Sequence, residues 1–260
     1  MIALSVNVNK IALIRNSREG NYPSVVDYAA TCIAAGADGI TVHPRPDQRH
    51  IRPQDVLELS ELCRSQQALS GAALEFNIEG NPFAQPWQEY PGLLSLVEQT
   101  RPQQCTLVPD SSTQLTSDHG FDLTTSAAKL KPLIAALQAI DVRVSLFMDP
   151  DKKQLDLARE LGVERIELYT GPYAAAKDQP RLLKNYFEAS QHATDIGLGV
   201  NAGHDLNLHN LGQFAPAPGL LEVSIGHALI VDAIAMGLTP AVIAYKALLE
   251  PSNGAFLPYQ

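Results

Sequence analysis

The strongest constraint on this chain is a pattern that recurs eight times along it: a short β-rich run, a turn, then an amphipathic segment. The β-rich runs fall at 2–8, 39–43, 72–78, 104–108, 141–148, 164–169, 197–201 and 221–225. The amphipathic segments fall at about 22–36, 53–66, 91–99, 124–139, 150–161, 180–195, 206–213 and 227–249. Strands that alternate with helices pair in parallel, because each return crosses over a helix. Eight such units in 260 residues predict one closed α/β domain over 1–260, a (β/α)8 TIM barrel, rather than an open sheet. No fixed-period repeat, low-complexity tract or block of like charge breaks the pattern.

Local signals agree with it. Asp149-Pro150 reads as an N-cap with proline at the first helical position, Leu155, Ala158 and Leu161 form an apolar stripe, and Gly162 ends that helix. Val26, Ala30, Ile33 and Ala37 give a similar stripe in the first helical segment. Residues 79–92, rich in Pro and Gly and carrying the only tryptophan, Trp87, read as a long loop after the third strand. It is open at this point whether that loop is a lid, an oligomer contact or a tolerated insertion.

Strand side chains alternate between two faces. Leu4, Val6 and Val8 oppose Ser5, Asn7 and Asn9; Ile40 and Val42 oppose Thr41 and His43; Leu74, Phe76 and Ile78 oppose Glu75 and Asn77. The later strands set Arg143 and Ser145, Arg165 and Glu167, and Glu222 and Ser224 against aliphatic partners. In a barrel the apolar face packs on the helices, so the polar face points inward, where branched aliphatics are usual. Buried charge is costly unless paired or liganded. Asn7, His43, Glu75, Glu167 and Asn201 are therefore expected near strand C-terminal ends, where barrel enzymes place their chemistry. A self-satisfied ion-pair network is the competing reading, above all for Arg143 and Glu222.

The net charge of −9 disfavours nucleic acid and anionic membranes as partners, so any anionic substrate must be held by a local site. Cys32, Cys63 and Cys105 are scattered, show no CxxC spacing, and predict buried thiols in a reducing cytoplasm. No apolar run reaches the roughly 18 residues that span a bilayer, and MIALSVNVNK lacks the layout of a signal peptide.

Four constellations carry possible chemistry. His43-Pro-Arg45-Pro-Asp-Gln-Arg49-His50 offers imidazoles for proton transfer and guanidiniums for phosphate in one loop. Glu75, flanked by apolar residues, suits a general base; a structural pair with an arginine explains it equally well. Val200-Asn-Ala-Gly-His204 brings a small-residue turn and an imidazole to the end of the seventh strand. Ile225-Gly226-His227 joins the eighth strand to the last helix, where free amides bind phosphate. His119, His192 and His209 are weaker candidates, with His192 a solvated helix residue. Lys10 could form a Schiff base, although a counter-ion to phosphate or carboxylate is the plainer reading. HEXXH, Walker A and GxGxxG motifs are absent, and the spacing of His and carboxylates suggests no metal centre.

Taken in order, VNVNKIALIRNSR, AGADGITVHPRPDQRHI, LEFNIEG, LVPD, VSLFMDP, IELYTGPYA, VNAGHDLNLHN and SIGHALI resemble the pyridoxine 5′-phosphate synthase family of vitamin B6 biosynthesis, from about Ser5 to Lys246. The resemblance implies a (β/α)8 barrel with extra helices, a cytoplasmic homo-octamer, and neither metal nor organic cofactor. It implies a transferase-type ring closure joining 3-amino-2-oxopropyl phosphate to 1-deoxy-D-xylulose 5-phosphate, giving pyridoxine 5′-phosphate, inorganic phosphate and water. His43 and Glu75 match the family's proton acceptors, His204 its proton donor, and Glu167 a transition-state stabiliser. Asn7, Arg18, Gly226 and His227 match contacts to the aminoketone phosphate; Arg45, His50 and Thr116 match contacts to the deoxyxylulose phosphate.

Two departures bear on substrate binding. Asn9-Lys10 replaces an Asp-His pair, and Asp205 stands where glycine follows the histidine. Another barrel lyase or epimerase acting on sugar phosphates would share the phosphate site without the paired acid–base groups; a non-catalytic phosphate-ligand sensor, suggested by Asn9-Lys10, would bind one or both substrates without turnover.

Overall fold

The computed structural model describes residues 1–71, 73–111 and 113–250; residue 72, the expected start of the third strand, lies outside them. Eight parallel strands close on themselves in sequence order, β1 through β8, with β1 paired to both β2 and β8. They are β1 (Ala3–Asn7), β2 (Gly39–Val42), β3 (Glu75–Gly80), β4 (Gln104–Leu107), β5 (Arg143–Met148), β6 (Arg165–Leu168), β7 (Gly199–Ala202) and β8 (Leu220–Ile225). Outward-facing Leu4, Val6, Ile40, Val42, Val144, Leu146, Ile166, Leu168, Val223 and Ile225 are almost wholly buried beneath the helices. Each such side chain contributes roughly 1.5–3 kcal/mol by leaving water.

The helical layer is α1 (Asn9–Asn16), α2 (Val25–Ala34), α3 (Pro53–Ser70), α4 (Leu93–Thr100), α5 (Leu123–Gln138), α6 (Lys152–Leu161), α7 (Gly171–Ala175), α8 (Gln179–Asp195), α9 (Leu211–Phe214), α10 (His227–Met236) and α11 (Leu238–Leu249). Several expectations are corrected. The N-cap of α6 is Asp151, which accepts from the amides of Lys153 and Gln154; Asp149 instead accepts from the Gly120 amide. The buried row of α2 is Val25, Ala29 and Cys32, one position back from the expected stripe. The last segment is two helices, because Gly237 at φ 90° breaks the spiral between α10 and α11. Of 206–213 only a single turn is helical, in α9. The short helices α1 and α7 had no signal in the amphipathic pattern.

The third strand matters most for function. It starts three residues later than the pattern suggests and runs on through Glu79 and Gly80, so the loop begins at Asn81. Face parity survives this change, but height does not. Glu75 becomes the first residue of β3, and Glu79 sits about 13 Å further up at ~3.3 Å per residue.

The barrel interior is polar from base to rim. At the base, Arg143 donates to Glu75 (2.5 Å) and to Gln104 (3.0 Å), and Arg165 donates to Glu222 (3.0 Å) and Asn201 (3.2 Å). Above it lies a neutral tier: Ser5 and Thr41 hydroxyls are 2.7 Å apart, and Asn77 bridges Thr41 and Thr106. Burial first, and then the charge of Glu75, raises the pKa of Glu222 against the pull of Arg165. The half-buried, inward-facing arginines thus have carboxylate partners, as a structural network requires.

Candidate active site

The C-terminal strand ends bring their side chains to one cavity of about 350 Å³. His43 follows β2, Glu79 and Glu167 are the penultimate residues of β3 and β6, Gly203 and His204 follow β7, and Gly226 and His227 follow β8. Asn7, Asn9, Lys10, Arg45, His50, Thr116 and Asp205 complete the expected residues in its wall. Gly203 is dictated by sterics, since a Cβ there would lie 2.1 Å from the Ser224 carbonyl oxygen.

Two expected residues are not in this cavity. Glu75 is tied to Arg143 at the opposite end of the barrel, because it begins β3 rather than ending it. Arg18 lies beyond the end of α1, exposed, with Nη1 bonded to the Ser17 carbonyl. The eight residues of α1 carry the chain about 12 Å from the rim before Arg18 is reached. Asn201, also expected near the rim, instead donates to Gln104 and Glu222 of the base network. Two functional candidates were missed. Glu79 shares the inward parity of Glu75 and Asn77, and only a strand drawn past Ile78 would have found it. Asp110 sits in the loop just after β4, in the stretch LVPD.

His43 is the electrostatic centre of the rim. Its Nε2 lies 3.1 Å from Asp110 and its Nδ1 3.7 Å from Glu79. Burial opposes the charged ring, but hydrogen bonds and charge from Asp110 and Glu79 outweigh it, so the pKa is raised. Asp110 also takes a hydrogen bond from Arg45 Nη2. Burial opposes its ionisation; His43 and Arg45 prevail and hold its carboxyl down at about 2. His50 is the opposite case. Burial first, then the charges of His43, Arg45, Lys10 and Arg49, push it down to about 3. Its Nδ1 accepts from the Ile51 amide (3.0 Å), which fixes the neutral tautomer with hydrogen on Nε2.

Glu167 is 4% exposed, and burial, followed by the charges of Glu79 and Glu222, raises its pKa well above the usual carboxylate range. A protonated carboxyl is then available as a hydrogen-bond donor. His204 meets the Thr116 hydroxyl through Nε2 (3.0 Å) and lies edge-on to the Tyr169 ring, centroids 5.2 Å apart. Its Nδ1 is 3.2 Å from Asp205 Oδ2, an ion-pair distance without hydrogen-bond alignment. Asp205 has φ 64°, the left-handed region that glycine adopts freely and Asp tolerates better than most residues. That backbone conformation accounts for how Asp stands where the resembling family has glycine. At the other departure, Asn9 Oδ1 accepts from the His43 amide (2.9 Å), so it positions the proton-transfer residue, while Lys10 adds a cation to the wall.

Known proteins resemble this chain along nearly its whole length. A sequence profile of the family described as "Pyridoxal phosphate biosynthesis protein PdxJ" matches residues 4–251. A relative from Xanthomonas campestris pv. campestris (strain B100), named pyridoxine 5′-phosphate synthase, is 57% identical over 251 residues, 95% of each chain. One of the same name from Xylella fastidiosa (strain M23) is 53% identical over 256 residues, 97% of this chain and 96% of its own. Among solved structures, thiamine phosphate pyrophosphorylase from Pyrococcus furiosus superposes with TM-score 0.60 at 11% identity, covering 96% of both chains. A structure described as KGPDC from Streptococcus mutans does so with TM-score 0.58 at 12% identity, covering 96% of this chain and 98% of that one. The last two show the barrel fold alone.

Proposed function

Because the chain belongs to the family of pyridoxal phosphate biosynthesis protein PdxJ, we propose that it acts as a pyridoxine 5′-phosphate synthase, a transferase-type enzyme that joins 3-amino-2-oxopropyl phosphate to 1-deoxy-D-xylulose 5-phosphate. The observation that carries this reading is one rim cavity in which His43, Glu79, Glu167 and His204 converge among cations and free amides. Such a reaction must lose water and phosphate, form a carbon–carbon bond and close a ring, and each step moves protons. Groups held in different protonation states divide that work.

His43, whose charged form Asp110 and Glu79 favour, donates a proton to an oxygen that leaves as water. Glu79, 3.7 Å from His43, accepts protons in the condensation, the part for which the resemblance offers Glu75. Glu75 holds Arg143 and supports the barrel base. Glu167 donates from its protonated carboxyl to negative charge developing in the transition state. His204, aligned by Thr116, serves phosphate or water loss. Lys10, Arg45 and the Nε2–H of His50 bind one phosphate; Asn7 and the α10 amides at Gly226 and His227 bind the other. Anchoring both substrates gains rate through orientation. Neither a metal nor an organic cofactor enters this scheme.

The assembly is proposed to be a homo-octamer in the cytoplasm. Leu13, Ile14, Val231, Ile234 and Met236 leave an apolar face exposed on α1 and α10, Ile234 at 77%. Patches of this kind mark association surfaces. The three cysteines are free and buried, and among the described residues no helix is long and apolar enough to cross a membrane. Mixing the protein with both substrates and detecting pyridoxine 5′-phosphate by mass tests the activity. Turnover of a single sugar phosphate without the aminoketone, or tight binding without product, would overturn it.

A further inference from the structure

Beside the rim cavity lies a second chamber of about 550 Å³, within the ~300–1,000 Å³ span of small-molecule sites. It is not a separate surface dent. His43, Arg45 and Arg49 line both spaces, so the chamber opens off the wall that holds the proton-transfer residue. The far side is built by the loop after β3, through Ala84, Pro86 and Trp87.

That loop is held in place. Trp87 and Tyr90 exchange two backbone hydrogen bonds of 2.9 Å, and Tyr90 is 1% exposed. Asn81 Nδ2 donates to the Asp110 carbonyl (2.5 Å) and Phe83 packs edge-on against Phe121. The chamber is therefore formed before any ligand arrives. Yet Trp87, which lines it, is 61% exposed. An indole and proline faces on one side, with the Arg45 and Arg49 guanidiniums and their partners Asp110 and Asp47 on the other, suit a flat aromatic ring whose phosphate meets the uncommitted donors of Arg45. Arg45 has two of its five donors committed, to Gln114 O and Asp110.

We propose that this chamber is a second site that takes an aromatic phosphate, and that its occupant is pyridoxine 5′-phosphate itself. The inference rests on the synthase reading, because both substrates of that reaction are open-chain and only the product has an aromatic ring. Product lodged there with its phosphate on Arg45 competes with the deoxyxylulose phosphate for the same guanidinium. The enzyme would then sense its own product without a separate regulatory domain.

The test supplies pyridoxine 5′-phosphate directly to the full chain. Trp87 is the only tryptophan, so its emission reports on the chamber. Saturable quenching by pyridoxine 5′-phosphate, and none by inorganic phosphate, is expected. Ala84→Glu places a carboxylate in the chamber but leaves Trp87 and the rim residues intact; it should raise the quenching midpoint at least tenfold. Trp87→Ala should weaken product inhibition against deoxyxylulose phosphate about tenfold, the worth of one aromatic stack plus its burial, with kcat and both KM values unchanged. Wild-type quenching in Ala84→Glu, together with wild-type inhibition in Trp87→Ala, would show that the product occupies the rim cavity alone and would sink the proposal. Absence of turnover from the two substrates, with the quenching intact, would instead sink the synthase reading.

Discussion

Asp110→Asn removes the carboxylate that two buried cations share. In the folded chain that carboxyl titrates near 2 instead of 3.8, which at ~1.4 kcal/mol per pKa unit corresponds to about 2 kcal/mol of favourable interaction. The sign follows from a depressed folded-state value: the stabilisation is complete above the ordinary carboxylate range and is lost as pH falls from about 4 through about 2. At pH 7 the variant forfeits all of it, and Arg45 and His43 remain buried, at 6% and 5% exposure, without their shared partner. Breaking buried pairs in this way costs about 3–5 kcal/mol, so a total loss of about 2–5 kcal/mol is expected. With a urea slope of about 1–3 kcal/mol/M, the unfolding midpoint should drop by about 1 M or more. A second readout isolates His43. Burial alone favours its neutral form, and Glu79 at 3.7 Å is the weaker contact, so the limb of the kcat/KM pH profile that reports protonated His43 should move to lower pH. A wild-type urea midpoint together with an unmoved limb would refute the shared-carboxylate arrangement.

Glu79→Gln should lower kcat by about 10²–10⁴-fold with little change in melting temperature, whereas Glu75→Gln should leave kcat within a few fold and cost about 1 kcal/mol, a modest loss because the Glu75–Arg143 pair is partly solvent-screened. Equal losses of kcat in the two variants would contradict the assignment. Histidine NMR titration should show His50 still neutral at pH 5, where His43 is already charged. Because His50 has a lowered folded-state value, it withdraws stability as pH falls below about 6.5 toward 3, and His50→Gln should flatten that part of the stability curve. Ile234→Asp on α10 should reduce the assembled mass measured by light scattering without unfolding the barrel; an unchanged mass would remove that face from the interface.

The barrel was legible in the sequence because its signals are local. Eight alternations of period-2 and period-3.6 patterning fix the number of units, and parity along a strand fixes which side chains face inward. The polar interior could be read for the same reason: Ser5, Thr41, Asn77 and Ser145 each sit on the face opposite aliphatics. Height along the barrel axis was not legible, since it depends on pairing register. In β3, Asn77 lies opposite Gln104 of β4 and Glu75 opposite Gly39 of β2, relations among residues dozens of positions apart. A slip of two residues preserves every inward and outward assignment while moving each carboxylate about 6.6 Å. That is why the rim residues that follow a strand, His43, His204 and His227, fell in the cavity, whereas Glu75 changed ends and Glu79 took its height. Short helices escaped for a different reason. α1 leaves β1 after a single residue and shows no amphipathic stripe long enough to register, and its course is what removes Arg18 from the site. The electrostatic states were beyond sequence altogether. His43 and His50 lie in one loop with similar neighbours, yet one is pulled toward its charged form and the other is held neutral. The difference is that Glu79 from β3 and Asp110 from the loop after β4 reach the first ring, while the second accepts from the Ile51 amide beside it, is desolvated, and feels the charges of His43, Arg45, Lys10 and Arg49.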